Sequence, residues 1–202
     1  TDAGTPGISD PGEELVRQCC EAGIKVTALP GAVACVTALI ISGLPTRRFC
    51  FEAFLPTDKK EHQRVLAELQ NETRTIVLYE APHHLLRTLT ELYEALGDRK
   101  ASICRELTKK YEPAFRTTLS QAVAYYTENE PKGECVIVIE GKSVQEIKAE
   151  DQARWQQMSL EEHMEHYESQ GNSRKEAMKL VAKDRGVSKR DVYQALLEAE
   201  EA

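Results

Sequence analysis

The 202-residue chain has no apolar run approaching the length of a membrane span, and its opening residues carry no signal-peptide pattern. Its six cysteines (19, 20, 35, 50, 104 and 135) include no C-x-x-C pair and sit mostly within apolar segments. That spacing excludes a zinc site or a disulfide framework and predicts buried thiols in a reducing cytosol. Positive charge is also in short supply. A net charge of −7 argues against non-specific nucleic-acid binding over the whole surface. It leaves room for a local basic face. Two familiar phosphate loops are missing as well: the opening loop has no Lys-Ser/Thr pair, and no G-x-G-x-x-G lies between a strand and a helix. With 41% hydrophobic and 29% charged residues, the chain can bury a core as one medium domain or one domain plus an appendage.

What is present begins at the first residue. Thr1-Asp-Ala-Gly-Thr-Pro-Gly-Ile-Ser-Asp-Pro-Gly12 contains three glycines and two prolines, so it reads as a loop. The next residues, to Gly23, read as a helix. Ser9 or Asp10 caps it, Pro11 takes its first position, Glu13 and Glu14 suit its positive end, and Gly23 stops it. A loop feeding a helix N-terminus leaves backbone N–H groups for a ligand, although a Gly/Pro turn before a helix is also a common connector. A chain opening inside such a loop, with no strand ahead of it, gives the expectation that an upstream segment belongs to the same domain.

Strands and helices then alternate. Ile24–Leu29 reads as a short strand, Pro30-Gly31 as a turn, and residues 32–42 as a buried helix closed by Gly43. Leu44-Pro45 marks a boundary. Beyond it come strands at 49–54, 75–80, 100–107 and 134–140, and helices at 58–70, 85–96 and 120–128, the last capped by Ser120. The alternation predicts an α/β fold with much parallel sheet. Two strand ends carry chemistry: Tyr79-Glu-Ala-Pro-His-His84, and Arg105-Glu-Leu-Thr-Lys109. Each lies where α/β sheets place ligands, though a lone Glu-x-x-His is also found as a helix-start carboxylate beside a solvated histidine.

The tail is of another kind. Residues 143–157 are polar and read as a linker or the start of a helix. Three capping-box patterns follow, at Ser159/Glu162, Ser173/Glu176 and Ser188/Asp191, and Gly171 and Gly186 end the first two runs. They predict a three-helix bundle with Val181, Val187, Val192, Tyr193, Leu196 and Leu197 in its core. Its short Gly186-Val-Ser188 link is similar to that of a helix-turn-helix. Between Asn172 and Tyr193 seven Lys/Arg face three acids, a net of +4. That patch suits an RNA backbone, or equally a solvated helix face with i,i+4 pairs.

The eleven residues Asp2–Gly12 resemble the signature of the bacterial ribosomal RNA small-subunit methyltransferase I family. Residues 79–84 resemble its Tyr-Glu-Ser-Pro-His-Arg, departing at Ala81 and His84, and residues 105–109 match its Arg-Glu-Leu-Thr-Lys in full. The family's Pro-Gly-x-Ser-Ala turn stands here as Pro30-Gly-Ala-Val-Ala34, so a serine hydroxyl is absent. The resemblance implies a tetrapyrrole-methylase-like two-domain α/β fold, its N-terminal domain incomplete, with a small C-terminal helical bundle. The expected divisions are 1–44 (remnant of the cofactor domain), 45–142 (second α/β domain), 143–157 (linker) and 158–202 (helical RNA-binding module).

It further implies S-adenosylmethionine as cofactor, held by Gly4, Thr5 and Ile8, with Val33, Ala34, Tyr79 and Ile139 as additional contacts. The implied reaction is 2′-O-methylation of a cytidine in 16S rRNA of the small ribosomal subunit, in the cytoplasm, by a homodimer without membrane attachment or metal. Glu80, His83 and Glu106 are the candidates for taking the hydroxyl proton, and spacing does not choose among them. Arg105 and Lys109 are expected to hold phosphate. Two rival readings remain: a tetrapyrrole-type small-molecule methyltransferase of the same fold, and an inactive RNA-binding or dimerisation fragment.

Overall fold

The computed structural model describes residues 4–107 and 114–200. It separates into two compact units, Thr1–Lys142 and Ser143–Ala202. In the first unit, α1 (Gly12–Glu21) and α2 (Ala34–Ser42) precede β1 (Phe49–Ala53), α3 (Lys59–Leu69) and β2 (Thr75–Glu80). A 3-10 turn over Pro82–His84 leads into α4 (Leu85–Leu96), then β3 (Lys100–Arg105), β4 (Ala114–Thr118), α5 (Leu119–Glu128) and β5 (Cys135–Ile139).

The five strands form one sheet in the order β1-β2-β5-β3-β4. Its centre is β5, where Cys-Val-Ile-Val-Ile is buried throughout. Side chains alternate across a strand. Cys135, Ile137 and Ile139 therefore join Ile76, Leu78, Ile103 and the leucines of α4 in one core, against α3, α4 and α5. Val136 and Val138 join Val77, Cys104 and the Cys35, Ala38 and Leu39 face of α2 in a second core on the other side. The cysteines at 35, 50, 104 and 135 are buried and all six are free. The expected division near residue 44 does not appear as a separate body, because α2 packs on the same sheet as the strands that follow it.

Three sequence expectations need correction in this unit. Among the described strands only β1 and β2 pair in parallel; β2–β5, β3–β4 and β3–β5 are antiparallel. Alternation of elements shows that the chain crosses over, but does not fix the direction in which a late strand enters the sheet. β4, absent from the sequence reading, pairs antiparallel with β3 at an edge of the sheet. Residues 24–29 form no strand: Leu29 is 86% exposed and Ile24 58%. A strand exists through its ladder partner, and none of the described strands lies beside this segment. The helix expected from Ser120 begins at Leu119 with Thr118 as cap, while Ser120 bonds the Asp98 carboxylate through its N–H (2.9 Å) and hydroxyl (2.8 Å).

The second unit holds α6 (Val144–Gln156), α7 (Leu160–Glu168), α8 (Arg174–Arg185) and α9 (Lys189–Glu200). The stretch expected as a linker is thus a helix, begun by a capping box between Ser143 and Glu146. Ser159/Glu162 and Ser173/Glu176 make the expected boxes, and Ser188 and Asp191 exchange the same two bonds. Gly186 closes α8 at φ +68°, a left-handed conformation that suits glycine. The core consists of Met164, Ala177, Val181, Ala182, Val192 and Leu196. Val187, Tyr193 and Leu197, expected inside, are 44%, 53% and 40% exposed. The buried seam of α9 runs through Val192 and Leu196, and its neighbours at 193 and 197 are turned about a quarter of the way round the helix.

Beside this core His163 is fully buried, its ring stacked on Trp155 at 4.1 Å and 6°. Its Nδ1 accepts from Arg185 Nε at 3.1 Å, and its Nε2 lies 3.4 Å from the Asp184 carboxylate. Arg185 also donates to the carbonyls of Met158 (2.6 Å) and Ser159 (2.8 Å), and Tyr167 donates its hydroxyl to Asp184. Burial, followed by the Arg185 charge, holds the His163 pKa below its ordinary 6.5. The unfolded state therefore binds a proton that the folded state resists. Stability from this histidine is present above about pH 6.5 and is lost as pH falls below that value. Fluorescence of Trp155, the one tryptophan in the chain, reports it. The unfolding midpoint of this unit should fall between pH 7 and 5, and His163→Gln should flatten that dependence.

Candidate active site

Asp10 shapes the opening loop. Its carboxylate accepts the N–H groups of Gly7 and Gly12, both at 2.7 Å, which holds its pKa below the usual range, chiefly through Gly12. The side chain therefore folds the loop onto itself and also satisfies the N–H of Gly12, the first residue of α1, while Pro11 stands between them without a side-chain bond. The loop then clasps the Pro30-Gly31 turn by backbone alone. Thr5 N–H donates to the Ala32 carbonyl at 2.9 Å. Gly4 sits at φ +81°, and a Cβ there would stand 2.5 Å from the same carbonyl oxygen. A Cβ on Gly31 would stand 2.9 Å from the Thr5 hydroxyl. Glycine is required at position 4, where both the positive φ and the backbone carbonyl exclude a side chain, whereas at Gly31 the contact is with a side-chain hydroxyl that can turn aside.

The turn runs directly into α2. Val33 is its extended N-cap residue, and Cys35 N–H donates to the Tyr79 hydroxyl at 3.1 Å. Tyr79, at the end of β2, packs edge-on against Phe51 (4.9 Å between centroids) and Phe54 (5.8 Å). Burial pushes its pKa up to about 12, so the hydroxyl remains neutral at physiological pH. Gly4, Thr5, Val33, Ala34 and Tyr79 thus meet around one helix N-terminus, with Ile8 exposed at the loop tip. Ile139 does not belong with them. It is fully buried, pairs with Ile76 and Ala101 at the far end of the sheet, and faces the opposite core.

The charged candidates are arranged differently. Glu80 is 7% exposed and lies on the α4 side of the sheet, away from Tyr79. One carboxylate oxygen accepts from the Thr88 hydroxyl (2.6 Å) and the other from Ala81 N–H (2.8 Å), so it ties β2 to α4. It borders a groove of about 900 Å³ between α3 and α4 whose lining includes Pro56, His62, His84 and Glu91. His62 bridges this groove, with Nδ1 2.9 Å from the Pro56 carbonyl and Nε2 3.0 Å from Glu91. His83 is exposed on the 3-10 turn, its ring centroid 4.1 Å from that of His84.

Arg105 ends β3 in register with Cys135 and reaches the Lys132 carbonyl at 3.5 Å. Its charge opposes the effect of burial on Tyr126 and Cys135, whose pKa values still rise to about 12 and about 11. Glu106 has a left-handed backbone, φ +50°, unusual for a residue with a side chain. Its carboxyl packs on Gly133, where a Cβ would overlap it. Lys109 lies outside the described residues. No motif in the sequence pointed to Thr88, Phe51, Phe54 or Gly133, because each contributes by where the sheet brings it.

The family model for tetrapyrrole (corrin/porphyrin) methylases matches residues 1–123. The crystal structure of the methyltransferase CobJ superposes with a TM-score of 0.54 at 19% identity, covering 68% of this chain and 62% of that one. That of cobalt precorrin-4 methyltransferase CbiF gives 0.50 at 18%, covering 68% and 61%. The fold is that of a tetrapyrrole methylase.

Sequence similarity is much higher to ribosomal RNA small subunit methyltransferase I. The Synechocystis sp. protein is 47% identical over 201 residues, 99% of this chain and 70% of that protein. The Bacillus subtilis protein is 46% identical, covering 96% and 66%, and that of Mycobacterium tuberculosis 40%, covering 98% and 67%. Within the tetrapyrrole methylases, this chain belongs to the ribosomal RNA small subunit methyltransferase I family. It spans about two thirds of the length of these relatives.

Tyr79→Phe removes the acceptor for Cys35 N–H at the start of α2. Urea unfolding should show a loss of about 1–2 kcal/mol, as for a partly buried donor left unpaired. Unchanged stability would show that this bond contributes nothing to holding α2.

Proposed function

We propose that this chain takes part in S-adenosylmethionine-dependent 2′-O-methylation of a cytidine in 16S rRNA. The observation that carries this reading is 40–47% identity, across nearly the whole chain, to proteins of that family. The clasped loop supports it. Backbone amides at the start of α2, and a loop cleared of side-chain bulk at Gly4 and Gly31, suit the polar end of such a cofactor. Ile8, Val33 and Tyr79 give apolar walls for its adenine. When bound, S-adenosylmethionine supplies a methyl carbon already activated by its sulfonium.

The protein then has mainly to align the ribose hydroxyl with that carbon, an effect worth up to roughly 7–11 kcal/mol of barrier. The ribose hydroxyl would have to give up its proton as it takes the methyl group, so the chain must offer an acceptor. Among the three candidates, Glu80 lies on the α4 side of the sheet and ties β2 to α4, His83 stands exposed on the 3-10 turn, and Glu106 lies at the end of β3 next to Arg105. We assign proton acceptance to Glu106 for that position, set by its left-handed backbone. Arg105 and Lys109 are assigned to phosphate, the first by its fork and the second as a point charge. The substrate places the reaction in the cytoplasm, and a homodimer is the assembly the family resemblance implies. A tetrapyrrole substrate is favoured by the family model over residues 1–123 and by neighbours at 18–19% identity, against 40–47% identity to the rRNA methyltransferases over nearly the whole chain.

The test is methyl transfer from labelled S-adenosylmethionine to small ribosomal subunits, using the chain extended to the length of its relatives. Arg105→Ala should lower transfer roughly tenfold or more, the scale of a lost charge-assisted contact, while the cofactor-induced rise in melting temperature persists. Equal loss of both would move Arg105 into the cofactor site. No transfer by the folded, cofactor-binding protein would overturn the substrate.

A further inference from the structure

Strand β1 leaves the sheet through two local departures from regular structure. Phe51 pairs with Val77 and Ala53 with Leu78, so β1 carries one residue more than β2 over that step, a bulge. Ala53 then stands at φ +51°, a left-handed conformation seldom adopted by a residue with a side chain. Bulges and such backbone outliers re-aim the side chains beside them, and both precede Phe54 directly. Its apolar neighbours are taken into the two cores, Phe51 on the α2 side and Leu55 on the α3–α4 side. Phe54 is left 51% exposed.

Three strands deliver their carboxyl ends to one edge of the sheet. β1 is parallel to β2, and β2 and β3 are each antiparallel to β5. Phe54 therefore follows β1 on the edge that also bears Tyr79, Arg105 and Glu106. Its ring centroid is 5.8 Å from that of Tyr79, with the two planes tilted by 62°. The chain beyond it is tied down. The Pro56 carbonyl lies 2.9 Å from His62 Nδ1, and Asp58 caps α3 through the N–H groups of Lys60 (3.1 Å) and Glu61 (3.0 Å). A half-exposed ring set against one tilted neighbour on a fixed backbone is a ready stacking surface.

Phe54 also lines the groove of about 900 Å³ between α3 and α4. That volume lies within the range of small-ligand sites, about 300–1,000 Å³, and suits one nucleotide. Charge along the groove is mixed: Lys59 and Arg87 stand against Glu80, Glu91 and Glu94, and Arg87 is paired with Glu91 at 2.9 Å. His62, 3.0 Å from Glu91, and His84 complete its titratable lining. Such a lining holds no excess of positive charge for a phosphate, so the aromatic ring is the feature left for recognition.

We infer that Phe54 stacks on a base of the RNA substrate, with the adjoining groove receiving that nucleotide. Ile8, Val33 and Tyr79 serve the cofactor's adenine from the α2 side, whereas the groove that Phe54 lines belongs to the α3–α4 side. A phenylalanine ring offers a π-face and no hydrogen bond, so it positions a base without reading its identity. The inference rests on the reading of the chain as an rRNA methyltransferase, and adds to it a residue that sets the RNA relative to the cofactor.

The experiment follows methyl transfer to small ribosomal subunits by the chain extended to the length of its relatives. Subunit concentration is varied at saturating S-adenosylmethionine, and cofactor affinity is measured separately by calorimetry. Phe54→Leu and Phe54→Ala should each raise KM for the subunit roughly tenfold, the scale of one lost base stack, and leave kcat within about twofold. Phe54→Tyr and Phe54→Trp should keep the unaltered KM, a rescue that apolar volume alone would not produce. Phe54→Leu should also keep the melting temperature. The dissociation constant of S-adenosylmethionine and the salt dependence of KM should be the same in all four variants.

A KM unmoved by Phe54→Ala overturns the stacking role and leaves the rRNA reading standing. Weaker cofactor binding with an unchanged KM assigns the ring to the adenine and overturns the RNA contact. If the unaltered chain folds, binds the cofactor and methylates no subunit, the rRNA reading fails and this inference fails with it.

Discussion

Strand β5 is hydrogen-bonded along both edges and buried on both faces, and the arrangement of the first unit follows from that position. It runs antiparallel to β2 and to β3, so its first residues stand beside the last residues of both. Tyr79 pairs with Val136, and Arg105 with Cys135. The loop before β5 therefore meets two strand ends that are about 25 residues apart in the sequence. Lys132 receives Arg105, and Gly133 leaves space for Glu106. Burying a strand on both faces also gives the sheet two cores. One is capped by α2 alone, which brings the α2 N-terminus next to Tyr79.

Close approach of backbone to backbone is the second constraint. The loop and the turn before α2 are joined by a main-chain hydrogen bond from Thr5 to Ala32, beside Gly4, where a Cβ would collide with the Ala32 carbonyl. Asp10 contributes by engaging two N–H groups within the loop itself. The Tyr79 hydroxyl, in turn, accepts the N–H of Cys35 and fixes the start of α2 against the end of β2.

In the C-terminal unit, four serine–acid pairs (Ser143/Glu146, Ser159/Glu162, Ser173/Glu176 and Ser188/Asp191) mark the helix starts, each carboxylate engaging a backbone N–H that no helical carbonyl reaches. The cluster of His163, Asp184, Arg185 and Tyr167 is of another kind, a polar group set beside the apolar core with its members bonded to one another.

Much was legible in the sequence. Glycine and proline marked the opening loop, the 3.6-residue period marked α4, and the serine–acid spacings marked the starts of α7, α8 and α9. These signals are local, carried by residues within four positions of one another. The strand expected at 24–29 failed because strand formation is not local: alternation of side chains supplies a face, and only a neighbour supplies the ladder. Tyr193 and Leu197 were misassigned to the core for a related reason, since an apolar residue one position off the packed seam looks the same in sequence as one on it.

The motifs at 2–12, 79–84 and 105–109 by themselves determined the family, because long matching strings specify ancestry whatever their geometry. Only the tertiary structure decided what those residues do within the described fold. It placed Glu80 and Tyr79, adjacent in sequence, on opposite faces of the sheet, engaged one with Thr88 and set the other against α2. It set Ile139 apart from the other residues expected to hold a cofactor, and it gave Glu106 a left-handed backbone against Gly133. The reason is physical: side-chain direction along a strand has a period of two, and the partners waiting on each face come from segments tens of residues away.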